Sequence, residues 1–208
     1  MTRTRIKICG YTQVEAALHA AQAGADAIGL VFYPPSARYV DPARAREIAR
    51  ALPAFVSSVA LFVDAEAGYV RAVIEQVRPG LLQFHGDETA DYCRQFGLPY
   101  IKAVRVQTGL DLVQYATRFQ DAQGLLLDAY LAGEAGGTGK VFDWNLIPRT
   151  LPLPLILSGG LNPANVAAAV AQVRPWAVDV SSGVEIGKGV KDATRVEQFI
   201  TEVNNAGR

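Results

Sequence analysis

The stretch RIKICGYTQVEAALHAAQAGADAIGLVF, residues 5–32, holds one complete structural unit in 28 residues. It opens with a short apolar run, IKIC at 6–9, interrupted by Lys7 and ended by Gly10. A helical pattern follows over 12–24, with apolar residues at i, i+3 and i+4 spacing and Gly24 where the helix should end. A second apolar run, AIGLVF at 27–32, closes the unit. Two strands joined by a helix imply a parallel βα unit, because parallel neighbours need a crossover connection of this kind.

The same alternation continues outward. Apolar runs recur at SSVALFV (57–63), LLQF (81–84), YIKAV (100–104), GLLLD (124–128), LILS (155–158) and AVDV (177–180), making eight in all. Amphipathic stretches lie between them, such as DPARAREIARAL, DAEAGYVRAVIEQV, DETADYCRQFG and NPANVAAAVAQV. Asp41-Pro42 and Asn162-Pro163 each place an N-cap before a proline at a first helical position. Thr12 with Glu15 has the spacing of a capping box. Eight βα units predict an α/β chain rolled into a single (β/α)8 TIM barrel, one domain over 1–208. The alternative is an open doubly wound sheet, but no GxGxxG follows the first strand.

Half of the residues are hydrophobic, enough for a large core, and 20 basic residues balance 20 acidic ones. That balance argues against nucleic acid or an anionic membrane as a partner. No apolar window approaches the ~18 residues of a membrane span. The start MTRTRIKICG lacks a signal-peptide core, and two cysteines make no disulfide framework. The expectation is a cytoplasmic protein, monomer or homodimer, acting on a small molecule.

In such barrels the chemistry gathers at the C-terminal ends of the strands. Side chains alternate along a strand, so if Ile6 and Ile8 face the helices, Lys7 and Cys9 face the axis. The same parity turns Gln83 and His85, Asp128 and Asp179 inward. Cys9 ends the first strand; a nearby Lys7 cation would lower its thiol pKa. An inward lysine needs a partner, and Asp179 on the closing strand is the candidate, which would be a structural pair. Asp128 on the rim is a candidate general acid. "GGTGK" (136–140) lacks phosphate-loop spacing and reads as a mobile lid. "LSGGLNP" (157–163) and "DVSSGVE" (179–185) follow the last two strands, where barrels commonly bind phosphate. Arg38, in "PPSARYV", would offer a carboxylate a fork if it turned inward. Cys93, Trp144 and Trp176 read as packing and His19 as a surface residue.

The ordered set "KICG", "GLVFYPPSARYV", "LQFHGDE", "LLLDAY…GGTGKVFDW", "LSGGLNPANV" and "VDVSSGVEIGKGVKD" resembles phosphoribosylanthranilate isomerase of tryptophan biosynthesis, across nearly the whole chain. Tyr11 and "KGVKD" are small departures away from the proposed catalytic groups. The resemblance implies a cofactor-free, metal-free Amadori rearrangement. It implies Cys9 as general base, Asp128 as general acid and Arg38 as holder of the anthranilate carboxylate. His85 would belong to the substrate pocket, and the backbones of Gly159, Gly160, Ser182 and Gly183 to the phosphate cradle. Lys7 and Asp179 are grouped with the substrate-binding residues. Two rival expectations are a phosphosugar synthase or aldolase forming a Schiff base through Lys7, and a barrel that binds phosphate ligands without turnover.

Overall fold

A computed structural model of the chain describes residues 3–129 and 142–206. Eight parallel strands close into a barrel in chain order. They are β1 (Arg5–Cys9), β2 (Ala27–Val31), β3 (Ser57–Phe62), β4 (Leu81–Phe84), β5 (Tyr100–Val106), β6 (Gly124–Ala129), β7 (Leu155–Leu157) and β8 (Ala177–Val180). Each apolar run read from the sequence is a strand, with ends moved by at most two residues. β1 closes on β8 in a register that sets Lys7 opposite Asp179.

The α-helices among the described residues are α1 (Val14–Ala23), α2 (Pro42–Ala51), α3 (Ala67–Val77), α4 (Ala90–Arg94), α5 (Leu112–Arg118), α6 (Val166–Val173) and α7 (Ala193–Ala206), with a one-turn 3-10 helix, Trp144–Leu146, between β6 and β7. After β8 come a one-turn 3-10 helix, Ser182–Val184, and a hairpin of β9 (Glu185–Gly187) and β10 (Val190–Lys191).

Two apolar layers hold the fold. Outward strand residues such as Ile6, Ile8, Leu125, Leu127, Val178 and Val180 pack under the helices in one continuous cluster. Inward residues Ile101, Ala103, Leu126, Ile156 and Ala177 form a smaller plug inside the barrel. This is the parity read from the sequence, so Lys7, Gln83, Asp128 and Asp179 do point inward, and all four are buried. A strand buried on both faces reads as a near-continuous apolar run, and polar residues in it stand out for that reason.

Local capping is mixed. Asp41 caps α2 by accepting from the N–H groups of Ala43 and Arg44. Gly24 ends α1 at φ +113, its N–H reaching the carbonyls of Ala20 and Ala21. The Thr12–Glu15 capping box does not form: the N-cap of α1 is Gln13, which makes no side-chain cap bond. Asn162 caps a turn rather than the helix, accepting from Ala164 N–H one turn before α6 begins. Trp176 is a further correction. It is 45% exposed at the barrel's N-terminal end, with the Arg5 guanidinium 3.7 Å from its ring centroid. Burial of the cation's stem against the ring replaces burial of the indole in the core.

Candidate active site

A cavity of about 900 Å³ opens at the C-terminal ends of the strands. Cys9, Asp128 and Asp179 line it from β1, β6 and β8, His85 from just past the end of β4, and Arg38 from the β2–α2 loop. Gly159, Gly160, Ser181 and Ser182 close its far side from the loops after β7 and β8. The segment 130–141, which includes the sequence-predicted GGTGK lid, lies outside the described residues.

Cys9 is buried among Val31, Leu61, Tyr33 and Val63. It faces Gly29 on β2, and a Cβ at Gly29 would stand 2.6 Å from the Cys9 sulfur. The glycine is therefore the space the thiol occupies. Beneath it, Lys7 Nζ donates to Asp179 Oδ1 at 2.8 Å, with both side chains 6% exposed. Burial opposes the charge on Lys7, but the Asp179 carboxylate and Cys9 outweigh it and hold the ammonium above its ordinary range. Lys7 does not line the cavity; Asp179 does. Lys7 is thus placed as the partner of Asp179 under the floor, not as a group at the cavity surface.

The thiol is not lowered overall. Burial pushes the Cys9 thiol up, Lys7 pulls it down by less, and Asp179 adds to the rise, so the net direction is up. The pull expected from Lys7 exists but loses to desolvation.

Across the mouth, three strands away around the ring, sits Asp128. His85 Nε2 lies 3.1 Å from Asp128 Oδ2, and Gln83 Nε2 lies 2.9 Å from His85 Nδ1. With Gln83 donating to Nδ1, a neutral imidazole carries its proton on Nε2 and donates it to Asp128. Asp128 Oδ1 accepts from the N–H of Ala129 at 2.8 Å. Both carboxyl oxygens are therefore held, which fixes the rotation of the group. The inward alternation of β4 brought Gln83 and His85 to notice; that they form a relay ending on Asp128 needed the barrel's closure.

The glycines after β7 adopt left-handed conformations, Gly159 at φ +81 and Gly160 at φ +67. The Gly160 carbonyl is tied by Asn165 Nδ2 at 3.0 Å. The N–H groups of Gly159 and Gly160 donate to no acceptor among the described residues. A Cβ at Gly159 would come within 3.0 Å of Asp128 Oδ1, so this turn abuts the acid as well. Gly183 is not at the cavity surface; its Cα side packs against the Leu161 carbonyl and brings the two loops together. Backbone N–H groups converging on one end of a pocket suit an anion.

Arg38 does turn inward, and its fork is already engaged. Nε donates to Glu185 Oε1 at 2.8 Å and Nη2 to Oε2 at 2.9 Å. Lys191 Nζ donates to Glu185 Oε1 at 2.7 Å and to Ser181. Burial pushes the Glu185 carboxyl up, but the bonds from Arg38 and Lys191 outweigh it and hold it below the usual carboxylate range. Glu185 and Lys191 were not legible as site residues. They lie in the "EIGKGVKD" hairpin, where nothing in composition separates them from surface charges. No helix among the described residues is long and apolar enough to cross a membrane.

Residues 6–202 match the model of the N-(5'-phosphoribosyl)anthranilate isomerase family. The chain is 59% identical over 199 residues to the N-(5'-phosphoribosyl)anthranilate isomerase of Nitrosospira multiformis, covering 96% of each chain. It superposes on the crystal structure of phosphoribosyl anthranilate isomerase from Thermotoga maritima with TM-score 0.89 at 42% identity, covering 97% of this chain and 99% of that one. A second solved phosphoribosyl anthranilate isomerase, in complex with reduced 1-(o-carboxyphenylamino)-1-deoxyribulose 5-phosphate, gives TM-score 0.86 at 40% identity, with the same coverage. With a closed eightfold barrel, a polar cavity at its C-terminal rim and a family match across nearly its full length, the chain belongs to the phosphoribosylanthranilate isomerases, enzymes of tryptophan biosynthesis.

Proposed function

We propose that the cavity carries out the Amadori rearrangement of N-(5-phosphoribosyl)anthranilate to 1-(2-carboxyphenylamino)-1-deoxyribulose 5-phosphate, with Asp128 as general acid and Cys9 as general base. Asp128 protonates the furanose ring oxygen as the C1–O bond breaks and the amine lone pair forms a C1=N iminium. The iminium withdraws electrons from C2, so its proton becomes acidic enough for a thiolate to remove. The resulting enaminol loses the proton on its C2 oxygen and gains one at C1, which leaves the composition unchanged.

The observation that carries this reading is the placement of Cys9 and Asp128 on separate walls of one cavity, with the glycine loops after β7 and β8 beside them. A phosphate held on Gly159, Gly160 and Ser182, with Gly183 behind them joining the two loops, would leave the ribose between the two groups. His85 would bind at the pocket wall and keep the Asp128 carboxyl aimed. Arg38 would receive the anthranilate carboxylate. Holding the substrate at both ends makes proton transfer at the middle effectively intramolecular. A Schiff base through Lys7 is disfavoured, because Asp179 keeps Lys7 as an ammonium and its lone pair is unavailable. Separate Cys9→Ala and Asp128→Asn variants should each lower kcat by about 10²–10⁴-fold. Near-wild-type turnover in both would refute the assignment.

A further inference from the structure

Arg38 poses a question that its role as a carboxylate holder does not answer. A guanidinium at the end of a long side chain has many rotamers, and its fork meets a carboxylate only when it is held in a matching orientation. Glu185 occupies the Nε–Nη2 edge bidentately, from a side chain only 5% exposed. Nη1 makes no hydrogen bond among the described residues and lies on the arginine that lines the cavity.

The carboxylate that does this is itself anchored. Lys191, buried on β10, donates to Glu185 Oε1 and to the carbonyl and hydroxyl of Ser181. Ser181 Oγ in turn donates to the Cys9 carbonyl at 2.9 Å. The β9–β10 turn also braces the backbone of Arg38. Gly189, at φ +81, lies so close to the Ala37 carbonyl that a Cβ there would stand 2.6 Å from it. On the other side, a Cβ at Gly10 would be 2.7 Å from Arg38 Cδ. Arg38 is therefore confined between Gly10 and the hairpin, with its head fixed by Glu185.

The buried Glu185 carboxylate pairs with two cations, Arg38 and Lys191, and Arg195 donates to its backbone carbonyl, so cations outnumber carboxylates in the cluster. A substrate carboxylate would offset part of that excess. We infer that Glu185 is a positioning residue that sets the orientation of Arg38, and through it the enzyme's selectivity for an aminoribosyl substrate bearing an ortho-carboxylate on its ring. This rests on the reading of Arg38 given above. Without Glu185 the guanidinium would keep its charge but lose the bidentate partner that holds its orientation.

The test measures kcat/KM for phosphoribosylanthranilate and for phosphoribosylaniline, which lacks the carboxylate, and takes their ratio. A variant that folds poorly loses active enzyme for both substrates alike, so the ratio survives a partial loss of fold. Arg38→Ala should collapse the preference for the carboxylated substrate, and Glu185→Gln should lower it by about tenfold or more. The double variant should fall no further than Arg38→Ala alone, since the two residues act as one unit. If Glu185→Gln keeps the ratio within about twofold while Arg38→Ala loses it, the inference fails and the reading of Arg38 stands. A further fall of the ratio in the double variant would also overturn it, because Glu185 would then act by another route. If Arg38→Ala keeps the ratio, the reading of Arg38 fails and takes the inference with it.

Discussion

Replacing Lys7 by Met keeps most of the length of the unbranched side chain and removes its charge. In the native protein Lys7 and Asp179 are both 6% exposed and bonded at 2.8 Å. The variant leaves Asp179 buried with no cation bonded to it, and breaking a buried pair in this way costs about 3–5 kcal/mol. For 208 residues the entropy of unfolding is roughly 0.4 kcal/mol/K near the midpoint, so Tm should fall by about 7–11 °C. The pH dependence follows from the directions of the shifts. In the native protein the Lys7 pKa is raised, so its contribution is complete below the ordinary lysine value of 10.5 and is lost as pH rises through the raised value. In the native protein burial outweighs the pull of Lys7 and already holds the Asp179 carboxyl above its ordinary range; without Lys7 it should rise further, so the deficit seen at neutral pH should shrink as pH falls toward ~4. Thermal melts across pH, followed by circular dichroism, would measure both. Lys7→Met with Asp179→Leu should recover much of the loss, because an apolar pair of similar volume needs no compensation. The reasoning is refuted if Lys7→Met costs under about 1 kcal/mol, or if the double variant is no more stable than the single one. The same single variant separates the two roles of Lys7. Loss of its pull should raise the Cys9 thiol pKa further and slow alkylation of Cys9 at fixed pH; an unchanged alkylation profile would leave Lys7 a structural role only.

Gly29→Ala should lower kcat by about 10²-fold, since its Cβ would meet the Cys9 sulfur at 2.6 Å and displace the proposed base; steady-state kinetics with unchanged cysteine content checks this. Wild-type kcat/KM should rise with pH toward an alkaline inflection, because burial raises the Cys9 thiol and the thiolate is the reacting form; a flat profile through the alkaline range would count against Cys9 as base. Arg78 and Arg174 end α3 and α6 at φ 55 and φ 51, both exposed, so Arg78→Gly and Arg174→Gly should each raise stability by about 0.5–1 kcal/mol in urea melts.

The chain's sequence determined the barrel. Eight apolar runs separated by amphipathic segments permit few other closed arrangements, because parallel neighbours need crossovers and right-handed crossovers accumulate in one direction. Strand parity alone then placed Lys7, Cys9, Gln83, Asp128 and Asp179 inside, since alternation is a local property of extended backbone. The Lys7–Asp179 pair was also legible, because closure of the first strand on the last is implied by the fold. Tertiary structure decided what no local rule encodes. Cys9 carries a raised rather than lowered pKa, because desolvation sums over every neighbour while the lysine is only one. Arg38 meets Glu185, 147 residues away, before it meets any ligand. Asp128 is aimed by His85 and Gln83, whose relay exists only once β4 and β6 face the same axis. Sequence fixes periodicity, and periodicity fixes which way a side chain points; which group it then touches depends on the three-dimensional closure of distant loops.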